Sequence, residues 1–244
     1  MAFGSVKMMH VDGTMHHLGV DEKQVAKTVL LLPDPMQIPA FAALMTDAYQ
    51  EGDYREYVTF TGTYAGKPLT VMSSGFGCMP MAIAVEELNH LGVERIVKLE
   101  ACAAIDPALA CGSVCLCKGA VRGEGASREY IDPSYPAVPD MELLAALRRA
   151  CRPAELAVFR SHDCLNHESP YVQGGMERAR RWAELGVQVM DGGTSALYVV
   201  GSILRVKTAS VALVCENYET GERLTQAQTQ EGMERLFCAV ASAL

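Results

Sequence analysis

A chain of 244 residues, half of them apolar, is long enough for one sizeable core, and no Pro/Gly/Ser-rich linker or shift in composition divides it. A single domain over residues 1–244 is expected. A formal net charge of -8 without any Lys/Arg-rich run argues against a nucleic-acid surface, though scattered cations suffice to hold one small anion. No apolar stretch is long enough to cross a bilayer, and Met1-Ala2-Phe3-Gly4 lacks the basic-then-apolar order of a secretory signal, so the expected location is the cytoplasm.

In chain order, residues 28–32 read as a strand, followed after Pro33-Asp34-Pro35 by a helical apolar stripe from Ile38 to Tyr49. Residues 57–64 and 69–74 form a hairpin around Ala65-Gly66-Lys67-Pro68. The pattern over 79–91 is helical, with Pro80 tolerable in its first turn, and 93–99 is the next strand. Further strands are expected at 112–121, 156–160, 187–190 and 209–215. Helices are expected from Pro139-Asp140 to about Cys151, and over 174–185, 194–205 and 224–243. This alternation predicts an α/β fold, a three-layer α/β/α sandwich whose central sheet is mixed because of the early hairpin.

The nine cysteines are odd in number and mostly in apolar settings, as buried thiols in a reducing compartment would be. Cys111, Cys115 and Cys117 are the tempting cluster. The first belongs to a turn, and no second cysteine pair or nearby histidine completes a zinc spacing, so no metal is expected. His162-Asp163-Cys164 and His167-Glu168 form no convergent triad or ligand set, because neighbours in an extended segment point in alternating directions.

Two places invite a ligand. Ser73-Ser74-Gly75-Phe76-Gly77 follows a strand and precedes a helix, where glycines let the backbone approach an anion and free amides favour it. It completes neither a dinucleotide fingerprint nor a phosphate loop, so a plain turn and a small-ligand loop both stand. The other is Arg95-Ile96-Val97-Lys98-Leu99-Glu100. Strand alternation puts Lys98 and Glu100 on one face at the expected strand exit, before the small-residue turn Ala101-Cys102-Ala103-Ala104. Lys98 either lines a pocket or pairs with Glu100.

His16-His17-Leu18-Gly19, Asp34-Pro35, Tyr54-Arg55-Glu56-Tyr57, Gly75-Phe76-Gly77, Ile83-Ala84-Val85-Glu86-Glu87-Leu88, Gly112-Ser113-Val114 and Tyr135-Pro136-Ala137-Val138 occur in an order that resembles the nucleoside phosphorylase family. The resemblance is to its hexameric uridine and purine nucleoside phosphorylase branch and extends from about residue 16 to 220. It implies an α/β/α subunit paired into dimers, commonly a trimer of dimers. It also implies phosphate-dependent cleavage of a nucleoside to free base and ribose 1-phosphate, with no organic cofactor. By the same resemblance Gly75, Gly77, Lys98 and a neighbour's Arg55 would hold phosphate, while His17 and Thr194 would meet ribose. Asn166, His167, Ser169 and Tyr171 would line the base side, and Glu216 would stand near the purine branch's catalytic carboxylate.

The chain departs from the family pattern where the chemistry is most demanding. Pro33 and Gln37 replace a glycine and a phosphate-binding arginine, Lys98 replaces another arginine, and Glu100 and Ala101 replace a glycine and a phosphate-binding threonine. An ionised, inward-facing Glu100 would repel the phosphate that Lys98 attracts. Gly192-Gly193-Thr194-Ser195 stands where the family has two ribose-gripping carboxylates. Asp191, one position earlier, is expected to point the opposite way if it lies in a strand. The resemblance therefore leaves open a divergent phosphorylase, a catalytically inactive ligand-binding or assembly subunit that pairs with an active homologue, and an enzyme with a changed, non-phosphorolytic reaction.

Overall fold

The computed structural model describes residues 9–10, 12–164, 171 and 173–244. Nine strands and seven helices are found among them. The strands are β1 (Thr28–Leu32), β2 (Thr46–Tyr54), β3 (Tyr57–Tyr64), β4 (Lys67–Ser73), β5 (Arg95–Ala104), β6 (Val114–Gly123), β7 (Glu155–His162), β8 (Val189–Asp191) and β9 (Lys207–Asn217). The helices are α1 (Ile38–Ala42), α2 (Cys78–His90), α3 (Ala126–Tyr130), α4 (Met141–Ala150), α5 (Gly175–Glu184), α6 (Thr194–Leu204) and α7 (Gln226–Ala243).

The sheet runs β2-β3-β4-β1-β5-β8-β7-β6-β9, and β9 returns to pair with β5, so its second half curls into a closed ring of five strands. Pairing is mixed: β1 is parallel to β4 and β5, while the β2-β3-β4 meander is antiparallel. The period of two divides the core cleanly. Val29, Leu31, Ile96 and Val214 pack on the side of α2 and α6, and Leu30, Leu32, Val97 and Leu213 on the side of α1, α4 and α7. Each such side chain contributes about 1.5–3 kcal/mol by leaving water, and together they hold the sheet between its two helical layers as expected.

Helix starts follow their local chemistry. The Asp140 carboxylate accepts from Leu143 N at 2.8 Å to open α4, and Thr225 with Gln228 forms a capping box for α7.

Two sequence expectations are corrected. The helix expected from Ile38 to Tyr49 stops at Ala42, and residues 46–54 are the edge strand β2, paired with β3 across the turn Arg55-Glu56. Met45 and Ala48 still pack against the same core as α1, so the apolar stripe was real but is delivered by two elements. Backbone pairing with β3 outweighs the helical spacing. The turn expected at Ala101-Cys102-Ala103-Ala104 is instead the second half of β5, because β9 pairs with it throughout and β8 joins at Ala103. Lys98 and Glu100 are therefore in mid-strand.

Candidate active site

The partners of β5 change along one edge. β1 accompanies it through Leu31 opposite Lys98, whereas β8 begins only opposite Ala103. Between those registers β5 has no strand neighbour on that side, which leaves a crevice where one parallel strand ends and another element begins, the usual place for a ligand in such sheets. The loop after β4 closes over the same level, since Ser74 N donates to Leu32 O at 2.8 Å. Gly75 has φ 68°, and a Cβ there would lie 2.9 Å from Glu56 Cγ, so only glycine lets this loop pass the β2–β3 turn. Gly77, with no side-chain cap, starts α2.

The β8–α6 turn forms the opposite wall. A Cβ on Gly193 would lie 3.3 Å from Lys98 Cε and 3.5 Å from Met81 Cε, and Cys78 Sγ donates to Gly192 O at 3.2 Å. The loop that carries Gly75 and Gly77 thus meets, at Cys78, the β8–α6 turn that covers Lys98.

At its floor Lys98, 1% exposed, donates to Glu100 and, at 2.9 Å, to Asp191 Oδ2. Lys98 and Glu100 do share a face, as strand alternation requires. The expected direction of Asp191 is corrected: it ends β8, and its carboxylate turns back to cap α6, accepting from Gly193 N at 3.2 Å and Thr194 N at 2.8 Å. Its other oxygen accepts from Ser161 Oγ at 2.6 Å, and Ser161 in turn accepts from Ser195 N at 2.8 Å. Asp191 is still in register with Ser161 of β7 and lies one step past Met190, the partner of Ala103, so strand alternation itself puts its side chain on the face that carries Lys98 and Glu100.

The electrostatics follow from this crowding. Burial works against the Lys98 charge, but the Asp191 and Glu100 carboxylates outweigh it and hold the ammonium above the ordinary lysine range. Burial likewise opposes ionisation of Asp191, yet Lys98 and the hydrogen bonds from Ser161 and Thr194 keep its carboxyl below the usual carboxylate range. Glu100 goes the other way: burial raises it, with Asp191 adding repulsion and Lys98 only partly compensating. With both carboxylates ionised the cluster carries a net negative charge. Asp191 is the saturated partner and Glu100 the labile one.

The remaining candidates are dispersed. Thr194 is fully buried with its hydroxyl 2.9 Å from Ser210 Oγ, and Ala101 packs against the opposite core. Pro33 precedes the turn in which Asp34 accepts from Met36 N at 2.9 Å, while Gln37 lines a 410 Å³ recess with Leu224, Thr229 and Gln230. Arg55 is exposed at the β2–β3 turn, its guanidinium 5.3 Å from the Tyr54 ring centre. The His17 ring reaches Glu87 at 2.6 Å. Glu216 lies in β9 six residues beyond Ser210, the register partner of Lys98, hence roughly 20 Å along the strand. It pairs with Arg223 at 2.7 Å. Tyr171 is 95% exposed. Asn166, His167 and Ser169 lie outside the described residues.

Three contributors escaped the sequence: Ser161, Glu87, and Asp191 in its actual orientation. Glu87 left a signal, because it stands three residues after Ala84 on the buried stripe of α2. Ser161 and Asp191 meet only through the parallel pairing of β7 and β8.

Comparison with known proteins agrees with this architecture. Residues 27–244 match the Phosphorylase superfamily. The chain is 32% identical over 221 residues to a uridine phosphorylase of Treponema pallidum, covering 87% of this chain and 86% of that one. It is 38% identical over 224 residues to a uridine phosphorylase of Thermococcus kodakarensis, covering 86% and 80%. A crystal structure of uridine phosphorylase from Vibrio fischeri superposes with a TM-score of 0.86 at 28% identity, covering 96% of this chain and 98% of that one. The chain belongs to the phosphorylase superfamily, in its nucleoside phosphorylase-like group. Nucleoside phosphorylases use phosphate as co-substrate and need no cofactor. No helix among the described residues is long and apolar enough to cross a membrane.

Proposed function

We propose that this protein cleaves the N-glycosidic bond of a nucleoside with phosphate, and that phosphate enters by displacing Glu100 from Lys98. The observation that carries this reading is a buried ammonium on β5, at the level where β1 has ended and β8 has not begun, whose second partner is a carboxyl group whose ionisation burial disfavours. Gly75, Gly77, Lys98 and the partner subunit's Arg55 hold the phosphate. His17 meets the ribose of the neighbouring site, and Thr194, whose hydroxyl is taken by Ser210 and whose amide is taken by Asp191, frames that pocket rather than donating to the sugar. Catalysis comes from holding phosphate in line and stabilising positive charge on the sugar as the bond lengthens. Glu216 protonates a purine-like leaving group once its pair with Arg223 opens.

Assembly as dimers, or a trimer of dimers, completes the site. Phe76 and Met79 are more than half exposed beside the glycine loop, and Tyr54 stands exposed next to Arg55, an apolar surface that suits a subunit contact. A cytoplasmic location belongs to the same reading.

A second reading is favoured by the closure of Lys98 between two carboxylates: a ligand-binding or assembly subunit without turnover, completed by an active homologue. Base release from uridine and guanosine, measured with and without phosphate in wild type and Glu100→Gly, separates the two. Phosphate-dependent release that rises in E100G supports phosphorolysis. Release independent of phosphate points to a changed reaction, and absence of release in both proteins supports the non-catalytic subunit.

A further inference from the structure

Glu87 is another buried carboxylate on the α2/α6 side, separate from the Lys98 cluster. It is 1% exposed within α2, and its close side-chain partner among the described residues is a histidine rather than a lysine or arginine. His17 N donates to both of its oxygens at 3.1 Å, Leu18 N donates to Oε2 at 2.9 Å, and His17 Nδ1 lies 2.6 Å from Oε1. With amide protons directed at both oxygens, the carboxylate acts as acceptor toward the ring, so Nδ1 carries the proton. In the neutral imidazole the other nitrogen, Nε2, is then left with its lone pair. The grip includes the backbone of His17 and Leu18, so the carboxylate is held beside the ring independently of the ring's own hydrogen bond. The His17 side chain keeps 32% of its surface accessible, and His16 packs edge-on against it at 4.8 Å.

We propose that Glu87 is a positioning residue that fixes His17 as the Nδ1–H tautomer, so that Nε2 accepts a hydrogen bond from one hydroxyl of the sugar. The sugar assignment rests on the function proposed above; the tautomer does not. A single acceptor of this kind discriminates by loss: a ligand lacking that hydroxyl leaves the lone pair unmatched, while one bearing it gains a neutral hydrogen bond.

The test uses the full chain labelled with ¹⁵N-histidine at about pH 8, where an ordinary imidazole is neutral. Long-range proton–nitrogen spectra, with His17 assigned from His17→Asn, should show Nδ1–H for His17 in wild type and in Glu87→Gln, whose amide oxygen still accepts. Glu87→Ala should move it toward Nε2–H. An Nε2–H pattern in wild type overturns the proposal without requiring any variant to fold or any substrate to turn over.

The second arm compares uridine with its 2′-, 3′- and 5′-deoxy counterparts. In E87A the KM for uridine should rise about 3- to 10-fold, as loss of one neutral hydrogen bond predicts, with kcat nearly unchanged. One of the three deoxy compounds should be insensitive to the substitution. Equal sensitivity of all four overturns the hydroxyl assignment. Absence of nucleoside binding in wild type with Nδ1–H still present instead counts against the proposed function and leaves the Glu87–His17 pair standing.

Discussion

Two of the buried carboxylate centres on the α2/α6 side of the sheet have opposite characters. Around Lys98, two carboxylates meet one fixed cation, and Asp191 is saturated by Ser161, Gly193 and Thr194 as well. Around Glu87, one carboxylate meets one imidazole and two amides, and a ring nitrogen is left over. The first centre spends its hydrogen-bonding capacity on itself, whereas the second spends it on orienting a group that still has something to offer. Buried charge therefore carries no single meaning in this molecule. What matters is whether the partner is used up.

Breaking the saturated centre should cost most. Asp191→Asn leaves Lys98 with Glu100 alone and weakens the α6 cap, and a loss of about 3 kcal/mol in urea unfolding is expected for a buried pair deprived of one member. A loss below about 1 kcal/mol would mean that Asp191 is not the anchor of Lys98. Glu87→Ala should follow at about 2 kcal/mol, since it strands the amides of His17 and Leu18; the same urea titration measures it.

Replacing Glu100 by glycine should tighten phosphate binding about tenfold, or about 1.4 kcal/mol, by removing one adverse charge beside Lys98. Titration calorimetry at fixed ionic strength reads this directly. An unchanged affinity would remove Glu100 from the account of the crevice.

The pH dependence sharpens the contrast between the two carboxylates of the Lys98 cluster. Glu100 is raised, so the stability linked to it is present below its unfolded value and lost as pH rises through the folded one. Asp191 is lowered, so its contribution is present above its unfolded value and lost as pH falls through the folded one. The urea stability of Glu100→Gln relative to wild type should therefore increase as pH is raised from about 4, the ordinary carboxylate range. A flat difference would show that Lys98 fully compensates Glu100. The smallest stability effect is expected for Glu216→Gln. Its partner Arg223 is exposed, and such pairs contribute about 0–1 kcal/mol. The same substitution should slow base release from guanosine more than from uridine.

Much of the fold was legible because it depends on short-range periodicity. The pattern at 28–32 became β1 without revision, and Pro139-Asp140 opened α4 as expected. The error at 38–49 arose because Phe41, Met45 and Ala48 meet one core from a helix, a turn and a strand, a coincidence of spacing that pairing with β3 decides. The site was less legible. Its glycine loop could be read from the chain, but the change of strand partner that opens the crevice depends on where β1 stops and β8 starts.

The sequence alone determined that Lys98 and Glu100 face the same way, because strand alternation is a property of the backbone and needs no partner. Only the tertiary structure decided what they meet. Asp191 arrives from 93 residues away, and the register of β8 with β5 and β7 turns its side chain to the face of Lys98, where it also accepts from the start of α6. Contacts of such separation are set by strand order and by where each strand ends, which local spacing does not encode.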